Sequence, residues 1–333
     1  MSERDAHEPR PRVAGAVVIG RNEGERLRAC LAALDPSTLR VVYVDSGSTD
    51  GSVAHAARAG MRVVQLDMTA PFTAARARNA GFDALRRIDP AVEWVQFLDG
   101  DCELNTGWLL AATAFLESHP SAALVCGRRR ERFPERTPFN RLCDLEWNAP
   151  VGEITECGGD FLVRADAFAQ VGGFNPGLIA GEEPELCVRL RAQGWRLWRI
   201  PREMTLHDAD MRSLRQWWLR TVRSGHAFAQ VSLLHRGSAY RIWGGTVPRA
   251  VIWCGILPAS LLAGVAIDPW MMLALVVYPV QIARIAARRD IRSKASWLYA
   301  YFALAGKLPE AVGMARFYLR AMLGRSQVLI EYK

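Results

Sequence analysis

The sequence predicts an α/β body built on a mostly parallel sheet flanked by helices, followed by C-terminal hydrophobic helices. Three observations carry this. Short apolar runs alternate with segments of helical periodicity through the first hundred residues, the pattern of strand–helix units that feed a parallel sheet. Acidic and glycine-containing motifs fall directly after the apolar runs, at the strand ends where such sheets bind ligands. The character of the chain then changes after residue 235. Up to that point 29 Arg and Lys stand against 30 Asp and Glu, and beyond it 13 stand against 4.

In order, residues 14–19 form a continuous apolar run, as expected of a strand buried on both faces. Residues 23–33 follow with Leu27, Leu31 and Leu34 at helical spacing. A second strand is predicted over 40–44, a helix over 51–59, a third strand over 61–66, a long helix over 74–88 and a fourth strand over 94–98. The next stretch is less regular. A helix capped by Thr106 spans 106–118, a strand 122–126, and residues 128–136 read as a charge-rich, solvated connection. Residues 158–163, a Gly172-Gly173-Phe174 turn, a helix over 185–193 and a strand over 195–200 complete the body, which is taken as 13–235. Residues 1–12 read as a flexible polar tail, lacking the apolar core of a signal peptide.

Composition excludes several functions. The positive excess lies outside the body, so the clustered basic charge of a nucleic-acid-binding domain is missing and no nucleic-acid partner is expected. The seven cysteines are scattered and never form a C-x-x-C pair, which argues against structural zinc and against a disulfide framework. The last hundred residues read as membrane-associated. Residues 250–267 carry no charge and reach about 27 Å as a helix, just short of a ~30 Å hydrocarbon layer. Residues 270–283 are shorter and suit a re-entrant or interfacial segment, and Pro258 and Pro279 are expected to kink both. Basic residues flank the pair on its outer sides, so the region 236–333 is read as a hairpin at about 250–287 with both outer ends on the cytoplasmic face of the inner membrane. Aromatic residues interleaved with Lys307, Arg316 and Arg320 make 296–323 a pair of interfacial amphipathic helices. A dimer core or a buried bundle is the competing explanation.

The sharpest chemical signal is Phe97-Leu98-Asp99-Gly100-Asp101. Two carboxylates one residue apart after a buried strand can hold Mg²⁺ or Mn²⁺ through oxygen and leave positions open for phosphate. The same tripeptide also occurs as ordinary turn chemistry, and its place at the sheet edge tips the reading toward a site. After the second strand comes Asp45-Ser46-Gly47-Ser48-Thr49-Asp50-Gly51. Asp45 can accept hydrogen bonds from a nucleobase or ribose, with Ser48 or Thr49 capping the next helix; equally, these groups can simply satisfy the turn. The first strand runs into Gly20-Arg21-Asn22-Glu23-Gly24, which is neither a P-loop nor a dinucleotide fingerprint.

Taken together with Ala77-Arg78-Asn79-Ala80-Gly81, Gly158-Gly159-Asp160-Phe161, Gly172-Gly173-Phe174 and Gly181-Glu182-Glu183-Pro184-Glu185-Leu186, these motifs, in this order, resemble family 2 glycosyltransferases of the GT-A fold. The resemblance covers about residues 13–207. It implies that Asp45 reads the base of a UDP- or GDP-sugar beside the loop of Arg21, Asn22 and Glu23, with Arg78 and Asn79 on a helix facing the nucleotide. It places Asp99 on ribose or metal, Asp101 on the cation, His207 near the metal or diphosphate, Gly159 and Asp160 at the substrate, and Glu183, beside Glu182, as catalytic base. Chemistry agrees with such roles: a departing diphosphate needs its charge neutralised, and an attacking hydroxyl needs a carboxylate within reach. Repulsion between adjacent Glu182 and Glu183 raises a pKa, while both suit the N-terminal end of the following helix.

Some positions depart from the family. Gly20 stands where proline is frequent, Ser46 where a second aspartate is frequent, and Gln216-Trp217-Trp218-Leu219-Arg220 only echoes the signature of processive synthases. The expectation is therefore transfer of single sugars to a lipid-linked or polysaccharide-precursor acceptor. Trp217, Trp218, Arg220 and Arg223 are read as an amphipathic helix beside the bilayer or acceptor cleft, or simply as packing. Two rival functions are a sugar nucleotidyltransferase, for which residues 20–24 supply little of the needed triphosphate loop, and a non-catalytic membrane scaffold.

Overall fold

The computed structural model describes residues 13–325 and 327–331, with only the backbone of Val13; the expected tail at 1–12 lies outside them. The chain opens with β1 (Val13–Gly20), α1 (Glu25–Ala32), β2 (Arg40–Asp45), α2 (Ser52–Arg58), β3 (Arg62–Gln65), α3 (Ala74–Ile88) and β4 (Val92–Asp99). β3, β2, β1 and β4 lie side by side and all parallel, as the alternation of apolar runs and helices predicts. The apolar runs are continuous because both faces of the sheet are covered: Ala16, Val17, Val18, Val95, Phe97 and Leu98 are fully buried. α3 starts where expected because the Thr73 hydroxyl accepts from the Arg76 amide. Its Gly81 packs where any Cβ would overlap the Val17 side chain, so helix and sheet meet at backbone distance.

β5 (Cys102–Leu104), α4 (Trp108–Ser118), β6 (Ala122–Glu131), α5 (Pro138–Trp147), β7 (Gly152–Glu153), β8 (Phe161–Arg164), α6 (Ala165–Gln170), α7 (Glu182–Ala192), β9 (Arg196–His207) and α8 (Leu214–Leu234) follow. They extend the sheet to the order β3-β2-β1-β4-β8-β6-β9-β5, with β7 on β9. β8 runs antiparallel to β4 and β6, whereas β6 and β9 are parallel. Phe97, Phe161, Phe168 and Phe174 interlock beneath this junction, with Phe97 and Phe174 edge to face at 5.2 Å.

Three expectations are corrected. α4 begins after Gly107 in the left-handed conformation, and no side chain caps it, so Thr106 is not its cap. The arginine-rich stretch at 128–131 is not a solvated loop but the end of β6, paired with β9 through Glu131 and His207. Its charges are met by Asp144, Glu203 and Asp160, which lets a charged strand end lie in the sheet. β9 likewise runs seven residues beyond the strand end expected at Ile200 and carries His207 on its last position.

Beyond α8, two apolar helices span Thr246–Ile267 and Pro269–Ala287, of 22 and 19 residues and mean hydropathy 2.2 and 1.6. Their side chains are largely uncovered, with Leu262, Ile267, Trp270 and Leu273 each more than 65% exposed. Residues 252–256 form a π-turn just ahead of Pro258, which accommodates a residue without an N–H inside the helix. The helices Lys294–Ala305 and Lys307–Met322 then return to the body. Phe302 meets Trp217 edge to face at 4.9 Å. The second helix lies along α8, where added methyls at Gly225 and Gly313 would overlap the backbone carbonyls of Glu310 and Val222. One face of each of these helices therefore packs on the body while Trp297, Tyr301, Leu308 and Leu319 stay exposed, and the region after residue 235 is fastened to the body at two helices.

Candidate functional site

A cavity of about 850 Å³ opens at the carboxyl ends of β1, β2 and β4, where parallel strands leave room between their loops. One wall is made by the loop after β1, bolted to the loop after β2. The Asn22 amide donates to Ser48 Oγ (2.9 Å), Thr49 N–H donates to Asn22 Oδ1 (2.7 Å) and Gly24 N–H donates to Asp50 Oδ2 (2.9 Å). Asn22 takes φ 55°, a left-handed value that asparagine tolerates. Asp45 is buried just behind this wall, accepting from Tyr43 Oη and from the amides of Gly47 and Ser48 at 2.8–2.9 Å. Ser46, Arg21, Asn22 and Glu23 line the cavity, and Asp45 does not.

The floor is a buried network of two arginines and four carboxylates. Arg78, from α3, donates to Asp99 Oδ1 at 2.7 Å and reaches Glu182 Oε1 and Glu183 Oε1 at 2.9 Å. Arg129, from the end of β6, pairs with Asp160 Oδ2 at 2.8 Å and lies 3.5 Å from Asp99 Oδ2. Asp160 also accepts from the Asp99 amide (3.2 Å) and from Thr205 Oγ1 (2.8 Å). Gly159 sits where these groups converge: a Cβ there would strike Arg78, Asp99 and Glu183. Burial tends to raise the Asp99 pKa, but Arg78 and Arg129 outweigh it and hold the carboxyl below its usual range. Glu183 moves the other way. Burial and then Glu182 outweigh Arg78 and push it up to about 7.

On the far side of Gly100, Asp101 Oδ2 lies 3.3 Å from His207 Nε2. β5 pairs Cys102 with His207 across the ladder, which is why the two side chains meet despite their separation in sequence. The Trp147 ring closes this corner, edge to face with His207 at 4.7 Å and beneath the Arg129 guanidinium at 5.5 Å. Burial disfavours the imidazolium, but Asp101 and Glu131 outweigh it and raise the His207 pKa.

The structure thus gathers Arg21, Asn22, Glu23, Arg78, Asp99, Asp101, Gly159, Glu182, Glu183 and His207 around one space. Asn79 lies apart: its amide group closes on Phe174, donating to the carbonyl at 2.8 Å and accepting from the amide at 2.9 Å. It holds the Gly172-Gly173-Phe174 turn against α3. Asp160 belongs to this network as the partner of Arg129 but does not line the cavity. Arg129 and Trp147 are residues that sequence reasoning did not place at the site. The signal for Arg129 was a strand that continues through three arginines, each with an acidic partner elsewhere.

An acidic floor with a carboxylate–imidazole pair lies at the carboxyl end of a mostly parallel sheet, and the fold is of the GT-A class. Residues 16–167, just under half of the chain, match the sequence model of glycosyl transferase family 2, and the chain is a glycosyltransferase. It is 25% identical over 279 residues to the succinoglycan biosynthesis protein ExoA of Rhizobium meliloti (strain 1021), covering 76% of this chain and 83% of that one. It is 28% identical over 243 residues to the pre-mycofactocin glycosyltransferase of Mycobacterium tuberculosis, covering 68% of this chain and 49% of the mycobacterial protein, about half its length. The mannosyltransferase PcManGT from Pyrobaculum calidifontis, solved with GDP-Man and Mn²⁺, shares the fold with a TM-score of 0.62 at 18% identity, over 92% of this chain and 88% of that one.

Proposed function

We propose that the chain is a metal-dependent inverting glycosyltransferase that moves one sugar from a UDP- or GDP-sugar to a hydroxyl on a membrane-proximal acceptor, lipid-linked or a polysaccharide precursor. The observation that carries this is the single cavity in which a carboxyl with pKa near 7, Glu183, faces the Asp99-Gly100-Asp101 turn across Arg78. Asp101 and His207 would hold Mn²⁺ or Mg²⁺. The pair fits such an ion: one oxygen and one nitrogen donor lie 3.3 Å apart, and the other His207 nitrogen, Nδ1, is backed by Glu131 Oε2 at 3.9 Å. An imidazole in the set favours Mn²⁺. The bound cation supplies charge neutralisation on the departing diphosphate.

The protein's own groups do the rest. The bolted loops after β1 and β2 present Arg21 and Glu23 to the nucleotide, and Asp45 shapes that wall from behind by fixing two amides of its turn. Asp99, held charged by two arginines, accepts a hydroxyl of the donor. Glu183 takes the proton from the acceptor hydroxyl, and its pKa near 7 leaves it both deprotonated and basic at neutral pH. Glu182 anchors Arg78, so that the base is oriented without being fully neutralised. Attack from the Glu183 side, opposite the diphosphate, inverts the anomeric centre. The two uncovered apolar helices and their basic flanks support a place at the cytoplasmic face of a membrane.

The test is a thermal-shift screen of the detergent-solubilised chain with nucleotide sugars, with and without Mn²⁺. A donor at a hundred times its dissociation constant stabilises by about 2.7 kcal/mol. The shift is expected to require Mn²⁺ and to disappear in Asp101→Ala. Donor-induced stabilisation by Asp101→Ala equal to wild type would remove the metal role.

A further inference from the structure

We infer that the acceptor carries a phosphate or diphosphate close to the hydroxyl that is glycosylated, and that Arg220 and Arg223 on α8 recognise it. This deepens the proposed transfer reaction and rests on it. The base fixes where an acceptor hydroxyl must lie, on the Glu183 side of the cavity. Gly181, immediately before the Glu182–Glu183 pair, packs against Ala227 of α8 and against the Trp243 ring. The wall nearest the base is therefore α8 together with Trp243.

That wall has a particular chemistry. Arg220, Arg223, Ser224, Ala227 and Phe228 all line the cavity, a spacing that puts them on one face of the helix. Arg223 and Arg220 lie four and seven residues before Ala227, about 6 and 10 Å along the axis from the residue that packs beside the Glu182–Glu183 turn. Glu146 accepts from Arg220 at 2.8 Å and orients it. Arginine forks suit phosphate oxygens. Trp243 meets Phe228 edge to face at 4.7 Å and holds φ 60°, a left-handed backbone value uncommon for so large a side chain. It stands three residues before the first apolar helix, so this end of the cavity adjoins the start of the uncovered apolar surface. Cationic side chains next to an aromatic wall at such a border fit a phosphorylated acceptor better than a neutral saccharide.

The experiment is titration of the detergent-solubilised full chain with farnesyl diphosphate, glucose 1-phosphate or farnesol, in the presence of EDTA to silence any cation held by Asp101 and His207. At least one phosphate probe is expected to bind at least tenfold more tightly than farnesol. If it is farnesyl diphosphate the source is a lipid headgroup, and if glucose 1-phosphate a soluble sugar phosphate. Arg223→Gln should weaken that probe at least tenfold, and Arg223→Lys should recover part of the loss, because the ammonium keeps the charge but not the fork. Equal binding of phosphate probes by wild type and Arg223→Gln, or no preference over farnesol, would overturn the inference. So would an equal loss of Mn²⁺-dependent nucleotide-sugar affinity in Arg223→Gln, since that places the arginine on the donor. Absence of nucleotide-sugar binding by wild type instead refutes the transfer reaction itself.

Discussion

At the scale of single residues, the site is governed by how two arginines are shared among buried carboxylates. Glu183 receives only part of Arg78, lies beside Glu182 and is pushed up to about 7 from an ordinary 4.5. A base must be deprotonated, so kcat/KM should rise about tenfold per pH unit up to about pH 7 and then level; a profile flat from pH 5 to 8 would contradict the role. Glu183→Gln should abolish transfer by more than about a hundredfold. The same shift has a sign for stability. A carboxyl whose folded pKa exceeds its unfolded value binds more protons when folded, so its contribution falls as pH rises from about 4.5 to 7. Glu183→Gln should therefore unfold at a higher temperature than wild type at pH 8, with the difference shrinking toward pH 4. Arg129 poses the reverse case. Arg129→Met leaves Asp160 without its cation and Asp99 with only Arg78, and breaking such a buried pair costs on the order of 3–5 kcal/mol. A lowered thermal midpoint, partly recovered by Asp160→Asn in the same chain, is the expected reading.

At the scale of elements, helices and strand ends aim these residues. β5 and β9 bring Asp101 to His207, and α7 begins so that Glu182 and Glu183 occupy its first turn, where the helix dipole favours carboxylates. α8 forms a wall of the cavity and is held by the helix Lys307–Met322 through backbone contact at Gly225 and Gly313. Neither glycine has a positive φ; what each supplies is the missing Cβ. Gly313→Ala should cost about 1–3 kcal/mol by overpacking, read as a lower thermal midpoint. An unchanged midpoint would mean that the two helices part without penalty. Residues 327–331 also lie against the cavity, with Gln327 on His226 at 2.9 Å and Glu331 on Arg21 at 3.2 Å.

At the scale of the whole molecule, an acidic, arginine-lined cavity and two uncovered apolar helices share one chain. If the hairpin enters a bilayer, the protein should remain with sedimented vesicles in high salt, because apolar burial is not screened. Release by salt would mean that the basic flanks alone hold it. The central strands, α3, the acidic turn and the two apolar helices were legible in the sequence because each is a local signal: an apolar run, a helical period, a motif at a strand end, a change in charge. The role of Arg129, the strand character of 128–131, the fastening of Asn79 to Phe174 and the turning of Arg220 and Arg223 into the cavity were not legible. Each depends on a partner far along the chain, and local pattern carries no information about which distant carboxylate or backbone group will arrive. Sequence alone thus determined the class of fold and the kind of chemistry. Only the tertiary structure decided which carboxylates stay charged, which one is left basic, and which side chains share its cavity, because those properties come from burial and from neighbours that folding brings together.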